Sequence, residues 1–388
     1  MDIPFFSIFV PAKGRPTYLV DAIKSILFQD FKNFEIVISN NGADAELREV
    51  ARAFLDDSRI RYVEQPEVLN MPAHWEKVSR DLGGEYVLVV TDRSVLKFGA
   101  LTYLYGQIQA EDCLPDVISW PWDLYYDYIQ VLVPHQSSGE IVRMDSHAEV
   151  INIINGTSAY PYCLPRGLNS CVKNSFINEL RKKYEKVFRS LNPDFTFGYL
   201  CLMNSEKFFY IQRPLFSSQG LKVSNGGNSF SGDASPYFAS LELCNPFRHV
   251  PYKHPMVQNS IHEDFLAMAT LCERDDLLLA WDSHHYVCQC FAEIDAKYEA
   301  GILPKQAVMD METDLIQLLP KESREIQQLL SSRHSFSKRI RRMIIRLIRK
   351  LLGSKLELIR HFTLLYRKGG ISFKTALEAA GFTPATKK

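Results

Sequence analysis

The chain has 388 residues, of which 46% are hydrophobic and 23% charged, and its 45 basic residues balance 45 acidic ones. The length is sufficient for two domains, and the composition is that of a globular protein. Because the formal net charge is zero, no overall field favours nucleic acid, and electrostatic recognition has to come from local groups of charges.

The ends of the chain and its cysteines favour the cytoplasm. The first residues, MDIPFFSIFV, have neither the basic stretch nor the long apolar core of a secretory signal, and the eight cysteines follow no disulfide-framework spacing. No apolar run reaches the roughly 20 residues that a membrane-spanning helix needs. Any membrane contact is therefore expected to be peripheral, at the inner face of the cell membrane.

Short apolar runs alternate with helical spacing over the first 105 residues. The predicted strands are 5–10, 34–39, 60–65 and 85–90, and the helices between them fall within 21–30, 46–56 and 74–84. Runs that are apolar throughout are typical of strands covered on both faces. The pattern predicts an α/β fold with a mostly parallel, Rossmann-type sheet and helices on both faces.

Ligands of such sheets bind beyond the carboxyl ends of the strands. That rule selects three segments of this chain, 11–15, 40–44 and 91–94. Residues 115–230 read as a mixture of aromatic-rich strands, a helix and a Gly/Ser-rich loop, and the remainder is helical. We therefore predict one domain over 1–235, a helical region over 236–330, and a basic amphipathic helix with a tail over 331–388.

Two stretches resemble the family 2 glycosyltransferases, which are inverting enzymes of the GT-A fold. They are FSIFVPAKGRPTYLVDAIKSILFQDFKNFEIVISNNGAD and NMPAHWEKVSRDLGGEYVLVVTDRSVLKFGAL. The resemblance covers about residues 5–105 and extends weakly to about 225. It implies transfer of a sugar from a nucleoside diphosphate, most simply a UDP-linked one, to a hydroxyl of a glycan or lipid-linked glycan.

The resemblance assigns the nucleotide site to the first two strand ends. The PAKGR loop would line the nucleotide through Pro11, with Lys13 and Arg15 in reach of phosphate; solvated loop cations are the alternative. Asn40 stands where the family usually has the Asp that reads uracil, and Asn41 follows it. Because an amide both donates and accepts hydrogen bonds, the identity of the base is left open. A turn at Asn41-Gly42 is a structural alternative that accounts for the same two residues.

The tetrapeptide TDRS (91–94) corresponds to the DXD motif of the family. Asp92 takes the middle position, and Arg93 replaces the second Asp, the usual metal ligand. Two interpretations follow: Asp92 holds Mg²⁺ or Mn²⁺ with phosphate oxygens completing the shell, or Arg93, with Lys97, takes over the charge of the metal. A third is a catalytically dead site.

The family also implies a carboxylate base that deprotonates the acceptor, about 100 residues after the DXD motif. Asp194 in NPDFTFG lies at that distance, although a helix N-cap needs the same residue type at the same place. Asp123, Asp127 and Glu206 are the other candidates. The surrounding aromatic residues suit either stacking on a sugar or core packing; they are Trp120, Trp122, Tyr125, Tyr126 and Tyr128.

Two further segments, 283–290 and 337–352, have distinctive patterns. The run SHHYVCQC (283–290) lacks the paired spacing of a zinc site and is interpreted as structural. Residues 337–352 form an amphipathic pattern rich in arginine, which predicts either contact with an anionic membrane surface or packing on protein; nucleic acid is not favoured. The overall prediction is a glycosyltransferase, with a degenerate sugar-binding or scaffold protein as the alternative, and a sugar-phosphate nucleotidyltransferase disfavoured because PAKGRP is too short for its signature.

Overall fold

The computed structural model describes residues 3–110, 114–223, 235–317, 361, 363–365 and 367–382. Within them, the main sheet has eight strands in the order β3-β2-β1-β4-β10-β6-β11-β9. The α/β fold with helices on both faces of a mostly parallel sheet is confirmed, and so is the helical region that follows it.

The first four strands alternate with three helices, as the sequence predicted. The strands are β1 (Phe6–Ala12), β2 (Phe34–Asn41), β3 (Ile60–Gln65) and β4 (Tyr86–Val89), and the helices are α1 (Pro16–Leu27), α2 (Ala45–Arg52) and α3 (Met71–Ser79). Local chemistry sets the helix starts. Pro16 opens α1 with a preset φ, whereas the side chains of Asp44 and Asn70 cap α2 and α3.

The remaining elements complete the main sheet, add a second sheet and build the helical region. The strands are β5 (Ser94–Leu96), β6 (Val117–Ser119), β7 (Asp123–Tyr126), β8 (Val131–Val133), β9 (Ile141–Met144), β10 (Ser170–Lys173), β11 (Phe208–Ile211), β12 (Phe216–Ser218) and β13 (Ile371–Ser372). The helices are α4 (Ala100–Ala110), α5 (Ser146–Ile154), α6 (Asn174–Tyr184), α7 (Pro193–Asn204), α8 (Ser235–Ala239), α9 (Val257–Leu271), α10 (Asp275–Ala280), α11 (Ser283–Glu299), α12 (Lys305–Gln317) and α13 (Ala376–Ala379).

Strand direction determines which residues meet at the ligand edge of the main sheet. β2 and β4 both pair with β1 in parallel, and β3 pairs with β2 in parallel. β10 is antiparallel to both β4 and β6, so β6 runs in the direction of β4, and β11 is parallel to β6. The carboxyl ends of β1, β2, β4, β6 and β11 therefore lie at one edge.

Two hydrophobic cores cover the two faces of the main sheet. Ile8 and Val10 of β1 pack with buried residues of α1 and α4 on one face, while Phe9 points to the other face. That second core continues without a break into α7 and the helical region, where the rings of Tyr199 and Phe265 meet edge to face at 5.5 Å. The helical region is thus packed on the face of the sheet that carries α7.

The second sheet joins distant parts of the chain in the order β13-β8-β7-β12-β5. Its edge strand β13 comes from near the end of the chain and pairs with β8. Next to it, Ala376, Ala379 and Ala380 form a small buried cluster with Val95 and Tyr125. The sequence had not indicated this return of the tail onto the first domain.

Two observations bear on contact with a membrane. In the part of the chain that the structure describes, no helix has both the length and the apolar character that crossing a bilayer requires. The basic segment 337–352 lies outside the described residues, so its contact with a membrane surface stays a prediction.

Replacing Tyr125 with Phe should weaken the attachment of the tail. The Tyr125 hydroxyl donates a hydrogen bond to the carbonyl oxygen of Phe373 at 2.9 Å, and its loss should lower the free energy of unfolding by about 1 kcal/mol. Urea unfolding measures the change. Tyr105→Phe is the matched control, because no described hydrogen bond involves that hydroxyl; equal losses in the two variants would contradict the expectation.

Candidate active site

An ion pair joins the carboxyl ends of β1 and β4. Arg15 Nε lies 2.8 Å from Asp92 Oδ2, and Asp92 is fully buried while Arg15 is partly exposed. Burial raises the pKa of Asp92, and the charges of Arg15 and Arg93 oppose that shift. Among the described residues, the other carboxylate oxygen, Oδ1, has no hydrogen-bond partner. The two strand ends are thereby held together around a buried carboxylate.

Arg93 is turned toward the segment after β12. Its guanidinium donates to the carbonyl oxygens of Gln219 at 2.9 Å and Gly220 at 3.5 Å. Arg15 donates to a third carbonyl of this segment, that of Val223, at 3.2 Å. Two cationic groups therefore lie side by side, each paired in this conformation with neutral carbonyl groups that an anion can replace.

Tyr18 and Asp127 form the wall next to Arg93. The Tyr18 hydroxyl donates to Asp127 Oδ2 at 2.7 Å, and burial together with this bond raises the pKa of Tyr18 to about 12. Gly220 has a left-handed backbone conformation, with φ at +61°, and a Cβ there would lie 2.9 Å from Tyr18 Cζ and 3.2 Å from Arg93 Cδ. Only glycine therefore fits between these side chains.

The other cations near this edge differ in their surroundings. Lys13 is exposed in the loop after β1, directly beyond the buried Pro11. Lys97 instead forms an ion pair with Asp123, whose carboxylate oxygen is 2.5 Å from Lys97 Nζ. Asp123 is fully buried and also accepts the backbone N–H of His135 at 2.8 Å. The ammonium group of Lys97 is thus paired with Asp123, whereas Lys13 is exposed to solvent.

The two asparagines at the end of β2 are buried and bonded to the chain. Asn40 donates to the carbonyl of Asp44 and accepts the backbone N–H of Asp44, at 2.7 and 3.1 Å. Asn41 exchanges two hydrogen bonds with the backbone of Leu69, at 2.8 and 2.9 Å. These bonds fix the loops after β2 and β3; the role of the asparagines in reading a base stays a prediction.

A buried histidine supports the same strand end. His74 Nε2 lies 2.7 Å from Ser39 Oγ, and burial lowers the pKa of His74 to about 4, with Lys13 and Lys77 acting in the same sense. The ring is therefore neutral at physiological pH. Its neutral form makes the hydrogen bond that anchors α3 to β2.

Asp194 lies in the first turn of α7, on the same side of the molecule as the strand ends. Because α7 leads back to the start of β11, its first turn is at the ligand edge. Asn192, and not Asp194, occupies the N-cap position. Asp194 Oδ2 is 3.9 Å from the guanidinium of Arg166, which lies over the rings of Trp122 and Phe195, at 4.8 and 5.0 Å from their centroids.

Two buried carboxylates fix the loop that leads into α7. Glu76 of α3 accepts the backbone N–H groups of Val187 and Phe188, at 2.9 and 3.1 Å. Asp264 of α9 accepts the backbone N–H of Leu191 and both the backbone and the side-chain N–H of Asn192. Charge-assisted bonds of this kind are the stronger ones in proteins, so the position of Asp194 depends on both the sheet domain and the helical region.

The residues present offer a divalent ion only part of a ligand set. No three His, Cys, Asp or Glu side chains of the described residues lie together as a metal cluster, which includes those of 283–290. Asp92 Oδ1 is a hard oxygen without a hydrogen-bond partner in the described part of the chain, but Oδ2 is bonded to Arg15. An ion at Asp92 would depend on phosphate oxygens of a bound donor for the rest of its shell.

Glu206, one of the alternative bases, lies away from this site. It precedes β11 at the amino end of that strand, which is the opposite edge of the main sheet. An open concavity at that edge is lined by Glu206, Ser205 and residues 143–147. No group of the candidate site reaches it.

The fold and the site define an α/β domain with a mostly parallel sheet and a group of cations at the carboxyl ends of its strands. Comparison with known proteins assigns part of the chain to a family: residues 7–150 match the model of glycosyl transferase family 2. These residues form a glycosyl transferase family 2 domain, which confirms the resemblance seen in the sequence.

Individual relatives are similar to parts of this chain. Glycosyltransferase GlyG of Streptococcus pneumoniae is 30% identical over 129 residues, which is 31% of this chain and 39% of GlyG. The GalNAc(5)-diNAcBac-PP-undecaprenol beta-1,3-glucosyltransferase of Campylobacter jejuni is 34% identical over 104 residues, or 26% of this chain and 34% of that protein. The matches thus span well under half of either relative.

Solved structures of S. aureus TarS were also found. TarS 1–349 is 14% identical, with a TM-score of 0.45, over 80% of this chain and 88% of that one. The same protein in complex with UDP-GlcNAc is 13% identical, with the same TM-score.

Sequence reasoning did not find Tyr18, Gln219 or Arg166. Tyr18 lies on α1 and Gln219 follows β12, and neither belongs to a recognised sequence motif. Arg166 had a weak signal, since it lies in the loop between α5 and β10, close in sequence to Tyr160 and Tyr162, and a cation near aromatic residues is a candidate for stacking. No local pattern in the sequence pairs Arg166 with Asp194.

The free energy of unfolding should decrease as the pH is lowered from about 6.5 to about 4, because His74 is protonated less readily in the folded state than in the unfolded one. The unfolded histidine binds a proton near pH 6.5, whereas the folded ring does so only near pH 4. Between these values the unfolded state holds more protons, so the free energy of unfolding should fall as pH falls, by up to about 1.4 kcal/mol per pH unit for one such group.

Urea unfolding of the wild type and of His74→Gln between pH 7 and 4 measures this dependence. Glutamine removes the titrating group, so the variant should show a shallower slope. Buried His262, whose pKa is lowered to about 3, accounts for part of the slope that remains. The exposed His147→Gln is the matched control, and an unchanged slope in His74→Gln would show that the ring does not titrate as inferred.

Proposed function

We propose that this protein transfers a sugar from a nucleoside diphosphate to a hydroxyl group of a glycan or glycolipid, with inversion at the sugar carbon. One observation carries the proposal. Lys13, Arg15 and Arg93 project from the ends of the adjacent parallel strands β1 and β4, around the buried Asp92. A set of cations at this edge of an α/β sheet suits a diphosphate.

The donor side of the site is assigned to the two arginines and Lys13. When a diphosphate binds, its oxygens replace the carbonyl oxygens of 219–223 as acceptors for Arg15 and Arg93. Guanidinium groups form paired bonds with phosphate and stay charged at all relevant pH values. Asp92 then keeps Arg15 oriented, and a UDP-linked sugar is the first donor to test.

The acceptor side is assigned to Asp194 and the aromatic residues near it. Trp122 and Tyr162 contact each other edge to face at 5.2 Å beside Arg166, and partly exposed rings of this kind stack on sugars. The Campylobacter relative is named for action on an oligosaccharide linked through PP to undecaprenol, which supports a lipid-linked glycan as one acceptor class.

The reaction is a single displacement. The acceptor oxygen attacks the anomeric carbon from the side opposite the diphosphate, the bond from that carbon to the phosphate oxygen breaks, and its electron pair leaves with the diphosphate. Asp194 takes the proton of the acceptor hydroxyl. Arg93 and Arg15 stabilise the charge that develops on the leaving group.

A divalent ion at Asp92 is the alternative means of stabilising the leaving group. Asp92 Oδ1 would hold it, and the ion would supply Lewis-acid stabilisation of the diphosphate. The arginine interpretation is favoured, because Asp92 Oδ2 is already bonded to Arg15 and because Arg93 replaces the carboxylate that would be the second ligand.

Turnover with and without EDTA tests the role of Arg93. UDP release from a panel of UDP-sugars should survive EDTA, and Arg93→Gln should weaken UDP binding, measured by calorimetry, about 10- to 100-fold, because a charge-assisted hydrogen bond contributes about 1.5–3 kcal/mol. Arg52→Gln, an exposed arginine of α2, is the control. Loss of turnover in EDTA with recovery in Mg²⁺ would favour the metal, and absence of nucleotide binding would favour a scaffold protein.

Asp194→Asn tests the base. Sugar transfer, to water or to an added glycan, should fall about 10²- to 10⁴-fold, since an amide cannot take the proton, while the affinity for UDP should stay the same. Asp275→Asn is the matched control, because Asp275 is also in the first turn of a helix but is exposed. Full activity of Asp194→Asn would remove Asp194 from the mechanism.

A further inference from the structure

Arg166 has an environment that differs from those of the other arginines of the site. Its guanidinium lies over two rings, those of Trp122 and Phe195, and its side chain is 20% exposed. The carboxylate of Asp194 is 3.9 Å away. Stacked guanidinium groups lose little freedom on pairing, because their plane is already fixed.

The backbone of Arg166 is fixed as firmly as its side chain. Its N–H donates to Asn169 Oδ1 at 3.0 Å, and Asn169 is fully buried and donates in turn to the carbonyls of Trp120, Tyr162 and Leu164. The next residue, Gly167, has φ +73° and lies against Val89 at the end of β4. The backbone of this segment is therefore held beside the end of β4, the strand that precedes Asp92.

Through these contacts, Arg166 connects the end of β4 with the first turn of α7, which carries Asp194. The backbone next to Arg166 lies beside the end of β4, its guanidinium lies over two aromatic rings, and the same group is 3.9 Å from Asp194 in the first turn of α7. Among the described residues within reach of Asp194, Arg166 is the cation, while Asp264, Tyr199 and Tyr237 are the other titratable groups that interact with it. The N–H groups of Asp194 and Phe195 also face the carboxylate.

We propose that Arg166 is a positioning residue that keeps Asp194 ionised and in place as the proton acceptor. This inference rests on the proposed function, since it assigns a partner to the base of that reaction. Without a nearby cation, burial would favour the protonated acid, which cannot accept a proton. Consistent with this, burial raises the pKa of Asp194, and Arg166 is the largest influence that lowers it.

The direct test is a titration of Asp194 in the full chain. Aspartate labelled with carbon-13 at its carboxyl carbon reports each titration by NMR, and the signal of Asp194 is identified by its loss in Asp194→Asn. Arg166→Gln should raise the titration midpoint of Asp194 by about one pH unit or more. Arg166→Lys keeps the charge but loses the planar stack, so a smaller upward shift is expected.

Arg213→Gln is the matched control, because Arg213 also lies over a ring, that of Tyr103 at 4.7 Å, but forms no part of the site. Thermal melting establishes that each variant is folded. An unchanged midpoint in folded Arg166→Gln would overturn the inference, and so would a shift of equal size in Arg213→Gln.

The rate of UDP release against pH separates this inference from the proposed function. If both are right, the acidic limb of the rate moves to higher pH in Arg166→Gln, together with the NMR midpoint. If Asp194→Asn releases UDP at the wild-type rate, the base assignment fails whatever the NMR result. If Asp194→Asn is inactive but the midpoint does not move, the role of Arg166 alone is overturned.

Discussion

The Arg15–Asp92 ion pair is the contact on which the arrangement of the site depends. It ties the loop after β1 to the end of β4 and places one guanidinium in the path between solvent and a buried carboxylate. Removing one partner of such a buried pair leaves an uncompensated charge, which costs more than the pair itself contributes. The position of Arg93, the next residue, follows from the same contact.

The candidate site draws on three separate parts of the chain. The ends of β1 and β4 supply the proposed donor side, the second sheet brings the 219–223 segment against Arg15 and Arg93, and α7 supplies Asp194. Buried carboxylates from α3 and α9 hold the loop before α7 by its backbone N–H groups. The helical region therefore contributes to the candidate site, because it helps to fix the loop that leads to Asp194, the proposed base.

Much of the first domain was predictable because its signals are local. Apolar runs and helical spacing identify β1 to β4 and the helices between them, and the rule on strand ends selects 11–15 and 91–94 without knowledge of the fold. The C-terminal return of β13 was not predictable, since a two-residue strand has no periodicity. The ion pair between Lys97 and Asp123 was not predictable from the sequence either, because Lys97 follows β5, Asp123 begins β7 and only the second sheet brings these strands together.

The sequence by itself determined the family 2 domain, the direction of its first four strands and the residue types at the strand ends. Tertiary structure decided the partners: Arg15 bonds Asp92, Arg93 bonds the carbonyls after β12, and Arg166 stands beside Asp194. The physical reason is the distance along the chain over which each kind of interaction acts. Periodicity and capping act within a few residues, whereas an ion pair depends on which distant loops the packed cores bring within about 4 Å, and no local pattern encodes that.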